Sequence, residues 1–188
     1  MNDEPVLAFK TSKLFEAWVK KQKGPGGLWL RLYKKSSGIV ALTYPEALDV
    51  ALCYGWIDAQ KKSYDEQSWI QRFCPRRPRG IWSKINVGHV ERLSKAGRMK
   101  PAGLAQVEAA KADGRWERAY HGAKDSVMPA DFLKRLAKDK KALAFFKTLN
   151  ASNTYAIRYR LHTAVKPETR EKRLVAILAM MKAKKKFH

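Results

Sequence analysis

The chain has 188 residues, enough for one domain or a domain with a small appendage, and enough to bury a core without disulfide or metal staples. Its 45% hydrophobic and 30% charged residues exclude global disorder, and no window reaches the roughly 18 apolar residues that a membrane-spanning helix needs. The charge balance is the outlier: 39 Lys and Arg against 17 Asp and Glu give a formal net charge of +22, a field that draws polyanions unless it is plain surface charge.

Residues 6–9 are a short apolar run suited to an edge strand. Thr11 or Ser12 can cap a helix carrying Leu14, Phe15, Trp18 and Val19, which Gly24-Pro25-Gly26-Gly27 ends. From Leu28 to Tyr33 the pattern alternates, Leu28, Leu30 and Leu32 on one face and Trp29, Arg31 and Tyr33 on the other, as a strand does. Ser36-Ser37-Gly38 breaks it. Thr43-Tyr44-Pro45-Glu46 then reads as a capping box with Pro in the first turn, opening an apolar helix with Leu48, Ala51 and Leu52 inward.

A hairpin follows, with strands over 56–63 and 67–74 about Tyr64-Asp65-Glu66. A three-residue turn would set Asp58 opposite Arg72 and Ile57 opposite Phe73, sorting polar from apolar. Pro75-Arg76-Arg77-Pro78-Arg79-Gly80 suits neither helix nor central strand and is expected to be an extended connector. Ser83 can cap a helix reaching Gly97, with Val87, Val90 and Leu93 inward, and a further helix is expected over 101–113. Residues 114–129 are less regular. Beyond them every pattern is helical: 130–136, 140–149, a helix capped by Ser152 with Ile157, Leu161 and Val165 inward, and one begun by Pro167 with Leu174, Ile177, Leu178 and Met181 inward. The tail, residues 182–188 with four Lys, is expected to fray. The fold class is therefore α+β: a small antiparallel sheet with packed helices over residues 1–128, then a helical C-terminal unit over 129–188.

Motifs for catalysis are absent. His89, His121, His162 and His188 are isolated, there is no HExxH, CxxC, phosphate loop or nucleophile elbow, and no metal or cofactor is implied. Cys53 and Cys74 read as buried thiols, and with no signal peptide visible a cytoplasmic location is expected.

The densest constellation lies in residues 55–86. Between Gln60 and Lys100 there are eleven basic residues against three acids, with Trp69, Phe73 and Trp82 interleaved and Trp56 just before them. Arginine offers a planar fork of donors suited to phosphate or carboxylate, and aromatic faces beside it can stack rings. The N-terminus of the Ser83 helix would add free N–H groups. Trp56, Asp58, Arg72, Arg76, Arg77, Arg79, Trp82, Lys84 and Asn86 are the candidate ligand-binding residues. Arg76, Arg77 and Arg79 repel one another between prolines, and Asp58 is the internal acid that would relieve them, most simply as the partner of Arg72. A second basic cluster, Arg158, Arg160, Arg170, Lys172 and Arg173, reads first as a solvated face.

Leu42-Thr43-Tyr44-Pro45-Glu46-Ala47-Leu48, Cys53-Tyr54-Gly55-Trp56-Ile57-Asp58, Gln71-Arg72-Phe73, Pro75-Arg76-Arg77-Pro78 and Ile81-Trp82-Ser83-Lys84-Ile85-Asn86 together resemble the YdeI/OmpD-associated, or bacteriocin-protection (OmdA), family. Ala110-Lys111-Ala112-Asp113-Gly114-Arg115-Trp116 and Ala164-Val165-Lys166-Pro167-Glu168-Thr169-Arg170 continue the likeness. The resemblance implies a link to protection against antibacterial peptides or to an outer-membrane porin, and it carries over no reaction and no catalytic residue. Three readings stand: a non-enzymatic protein holding an anionic ligand (nucleic acid, envelope polymer or an acidic protein surface), an enzyme for a small anionic substrate with Asp58 as acid/base, and a stress or resistance factor docking a protein partner through its C-terminal helices.

Overall fold

The computed structural model describes residues 4–188, which pack as two compact units. One comprises the described residues through Trp82 together with Asn86–Arg118; the other comprises Ser83–Ile85 and Ala119–His188. The α+β class holds.

The first unit carries a four-stranded sheet in the order β1-β2-β4-β3, made of β1 (Val6–Leu7), β2 (Leu28–Tyr33), β3 (Trp56–Ser63) and β4 (Ser68–Pro75). The β2–β4 and β3–β4 pairs are antiparallel, while β1 runs parallel to β2, so the sheet is mixed. One face holds Leu28, Leu30, Leu32 and Phe73, all at 2% exposure or less. Helix α1 (Ser12–Lys21) meets that face through Phe15, whose ring lies edge-on to Phe73 at 5.8 Å. Helix α2 (Tyr44–Cys53) adds Tyr44, 6.4 Å from the same ring. Thr11 caps α1, and the Thr43 N–H and hydroxyl both donate to Glu46 at the start of α2. In α1 Phe15 and Val19 are buried and Trp18 is part-buried, as expected of the inward stripe, while Leu14 is half exposed.

Helices α3 (Lys84–Lys95) and α4 (Pro101–Ala112) follow. The Gly97 and Arg98 N–H groups close α3 on the carbonyls of Ser94 and Leu93, with Gly97 at φ 65°. Gly103 lets α4 approach the end of α2 closely, since a Cβ there would stand 2.3 Å from the Cys53 carbonyl oxygen.

The hairpin register differs from the sequence expectation. Asp58 faces Phe73 and Ile57 faces Cys74, because the loop holds four residues and a bulge interrupts the pairing between Asp58 and Lys61. The bulge frees the Ala59 carbonyl, and the buried Gln71 amide donates to it at 3.1 Å. Asp65 organises the loop by accepting from the Gln67 N–H and the Ser68 hydroxyl.

The second unit packs α5 (Ala130–Leu136), α6 (Lys140–Phe146), α7 (Ala151–His162) and α8 (Pro167–Lys182) around Phe132, Leu136, Ile157, Leu161, Leu174, Ile177 and Met181. Two expectations change here. Asn150, not Ser152, caps α7, its side chain accepting from the Asn153 N–H, and Val165 lies beyond the helix and exposed. The tail is also tied down rather than frayed: buried Asn153 accepts from the N–H groups of Phe187 and His188, and Arg160 covers the Phe187 ring at 4.1 Å.

Candidate anion-binding site

Strand alternation separates the two residues expected to pair. Asp58 shares a face with Phe73, toward α2, where the Tyr44 hydroxyl donates to it at 2.9 Å. Burial and that carboxylate raise the Tyr44 pKa, which keeps the phenol protonated as donor. Arg72 points the other way and takes both oxygens of Glu4, at 2.6 and 2.5 Å. The Arg72 guanidinium holds the Glu4 carboxyl below the usual range, against the opposing effect of burial. Neither Asp58 nor Glu4 is therefore a counter-ion for the connector.

Two other bases of the segment are also engaged. Asp49 on α2 accepts from Arg92 and Arg98. Trp56 is core, its ring edge-on to Trp18 at 5.8 Å.

The connector after β4 does gather a local structure. Its first arginine, Arg76, is buried, hydrogen-bonds through its N–H to the Gly55 carbonyl, and lays its guanidinium 3.5 Å above the Trp82 ring. Trp116 meets Trp82 edge-on at 4.9 Å. The indole of Trp82 is 2% exposed, and its Nε1 hydrogen has no acceptor among the described residues. A buried indole N–H ordinarily has one.

Residues 77–80 form a turn closed by the Gly80 N–H on the Arg77 carbonyl at 3.0 Å. Pro78 sets the first central position, and Arg79 stands at the second with φ 62°. That combination is a type II turn, whose second central position favours glycine. Arg115, itself paired with Asp113, braces the turn by donating to the Gly80 carbonyl at 2.8 Å. Arg77 and Arg79 are exposed, and their guanidinium groups have no partner among the described residues.

Lys84 and Asn86 lie in the first turn of α3. Lys84 is exposed and belongs to the second unit, where its N–H donates to the Tyr120 carbonyl at 2.8 Å, so the first N–H of α3 is already used. Asn86 is part-buried.

A family model described as "Domain of unknown function (DUF8412)" matches residues 7–106, more than half of the chain. The chain belongs to the DUF8412 family. A second model, "Bacteriocin-protection, YdeI or OmpD-Associated", matches residues 125–184, so the expected OmdA resemblance is found in the helical unit. No curated protein and no solved structure matches the chain. In this DUF8412 protein the turn arginines and Trp82 lie within the first match, as do the motifs between Leu42 and Asn86; the motif at 164–170 lies within the second, and the motif at 110–116 lies between the two.

A pocket of about 240 Å³ is lined by Glu16, Val50, Cys53, Gly97, Arg98 and Lys100, mixing both signs of charge. Burial pushes the Cys53 thiol up, which disfavours the thiolate a nucleophile needs. Both cysteines are free and buried. The second basic cluster is largely engaged: Arg170 grips Asp131, Arg173 donates to the Arg160 carbonyl and the Thr163 hydroxyl, and Arg158 donates to the Ser126 carbonyl. Among the described residues no group of three or more His, Cys, Asp or Glu is disposed to hold a metal, and no helix is long and apolar enough to cross a membrane.

The residues that sequence reasoning missed are Glu4, Trp116 and Arg115. Nothing local marks them, because Glu4 meets a strand 68 positions away and Trp116 reaches Trp82 only after α4 has turned the chain.

Proposed function

We propose that this protein is a non-enzymatic binder of anionic polymers, with Arg77 and Arg79 as the exposed contacts and the Arg76–Trp82–Trp116 stack as their rigid base. The observation that carries the reading is the backbone of Arg79. A non-glycine residue at positive φ costs on the order of 1 kcal/mol or more, and a glycine in its place would relieve that cost while losing the guanidinium. Retaining arginine there, beside a second unpartnered arginine, makes sense when an external anion compensates both. In this reading the sheet unit makes the anion contact. The helical unit, which bears the bacteriocin-protection match, faces a protein partner.

Fluorescence anisotropy with fluorescein-labelled inorganic polyphosphate tests it. The full chain should bind with an affinity that falls steeply with salt, and Arg77→Ser with Arg79→Ser should weaken binding at least tenfold and lower the salt slope by about two. Wild-type affinity in the double variant, or no salt dependence, would sink the reading.

A further inference from the structure

The sheet has a second face. Trp29, Arg31 and Tyr33 on β2 alternate with the buried leucines, and their partners Arg72 and Ile70 on β4 and Lys62 on β3 share their side. Helices α1 and α2 engage the opposite face. On this side Trp29, Arg31 and Tyr33 are part-exposed and Lys62 is exposed, with Tyr64 at the hairpin end half exposed. Each aromatic ring carries a cation. Lys62 lies 4.3 Å above Trp29, and Arg31 lies 4.9 Å from Tyr33 and 5.2 Å from Tyr64. The acids that reach this face, Glu4 and Asp65, are each tied to an arginine, at Arg72 and Arg31.

We infer that this face is a stacking platform for single-stranded nucleic acid. A solvated sheet face needs polar residues, and it does not need two aromatic plates on one strand with a third at the hairpin loop. Trp29 and Tyr33 stand four residues apart on one strand, about 13 Å, a span that two or three unstacked bases can occupy, as on other four-stranded nucleic-acid platforms. Lys62, the cation over Trp29, does not block this use, while Arg31 beside Tyr33 and Tyr64 stays tied to Asp65 and Ser68. Stacking a base on an aromatic ring is worth roughly 5- to 150-fold in affinity, whereas an exposed cation–π contact is worth roughly two- to fivefold. A base therefore displaces Lys62, and the released ammonium remains beside the strand to meet a phosphate. The excess of Lys and Arg in the whole chain favours a charged polymer over a neutral sugar chain. Flat aromatic plates favour one with bases over an acidic peptide. A duplex hides its base faces and fits poorly.

This surface shares no residue with the 77–80 turn, so the two proposals fail separately. The test compares fluorescein-labelled oligo-dT with an abasic deoxyribose-phosphate oligomer of the same length, by anisotropy, on the full chain. The wild type should prefer oligo-dT by tenfold or more. Trp29→Ala with Tyr33→Ala should abolish that preference and leave abasic binding unchanged, while Trp29→Phe with Tyr33→Phe should keep it. Should the double alanine variant fail to fold, Tyr64→Ala, at an exposed loop position, should reduce the preference severalfold. Arg77→Ser with Arg79→Ser should weaken both oligomers and leave their ratio intact. Equal wild-type affinity for the two oligomers overturns the inference, and so does a preference that survives loss of the rings. Better binding of a neutral glucan than of oligo-dT would assign the plates to carbohydrate instead and overturn it too.

Discussion

In the helical unit the arginines have internal work: Arg170 holds both oxygens of Asp131, Arg135 holds Glu171, and Arg173 closes the end of α7 on backbone and hydroxyl oxygens. In the connector after β4, Arg77 and Arg79 stand exposed with no partner among the described residues. Both stretches look alike as runs of basic residues. Folding makes the difference, because it brings distant acids to some arginines and leaves others with no acid partner among the described residues. The density of positive charge in a sequence therefore marks where cations are, and only the pairing marks which of them remain for a ligand.

The largest expected effect attacks the engaged side of that contrast. Glu4→Gln keeps the shape of the side chain but leaves the Arg72 guanidinium, 19% exposed, without its carboxylate. Leaving a partly buried charged donor with weakened acceptors costs about 2 kcal/mol. The urea midpoint should fall accordingly, while polyphosphate affinity stays at the wild-type value. A variant of unchanged stability would make Arg72 as free as Arg77 and dissolve the distinction.

A second comparison uses the backbone. Arg79 and Lys184 are the non-glycine residues at positive φ, 62° and 53°, among those described. Lys184 has a structural reason to be there: its N–H and that of Lys185 close α8 on the carbonyls of Met181 and Met180, the arrangement that Gly97 serves at the end of α3. Arg79→Gly and Lys184→Gly should each stabilise their own unit by about 1 kcal/mol, measured by thermal melting. Only Arg79→Gly should weaken polyphosphate binding, by several-fold. Equal binding in both variants would mean that the strain at Arg79 serves the turn alone.

Much of the fold was legible because its signals are local. The alternation of residues 28–33, the Thr43–Glu46 box and the Pro167 start each involve neighbours in sequence, and each element forms where expected. The hairpin register was not legible, since a bulge at Ala59 depends on a Gln71 side chain reaching across from the partner strand. Of the site, the crowding of Arg76, Arg77, Arg79 and Trp82 was legible in composition, but the turn over 77–80, where an extended connector was expected, and the stack of Trp82 on Trp116 were not. The pairing of Asp58 with Tyr44 and of Arg72 with Glu4 does not, because both depend on which face each strand residue takes after the one-residue shift. The aromatic face of β2 was visible as a strand pattern, but the sequence does not say which side the helices will cover.

The smallest effect concerns the best-formed ion pair of the helical unit. Hydrogen bonds from Arg170 hold the Asp131 carboxyl at about 2, against an ordinary 3.8, with burial opposing and the Phe132 N–H assisting. A carboxyl depressed in the folded state adds stability above its unfolded pKa and loses it as pH falls toward the folded one. The contribution should thus be whole above about pH 5 and fade between about pH 4 and 2. Both partners are substantially exposed, 33% for Arg170 and 49% for Asp131, so solvent screening holds the pair to under about 1 kcal/mol. Thermal melts of wild type and Asp131→Asn across that range should differ by a small constant at neutral pH and converge near pH 2. The neutral-pH difference should shrink further in high salt. A difference that persists at pH 2 would show that Asp131 acts through packing or through its place in the first turn of α5 rather than through its charge on Arg170, and the engaged arginines of this unit would then be held more weakly than their geometry implies.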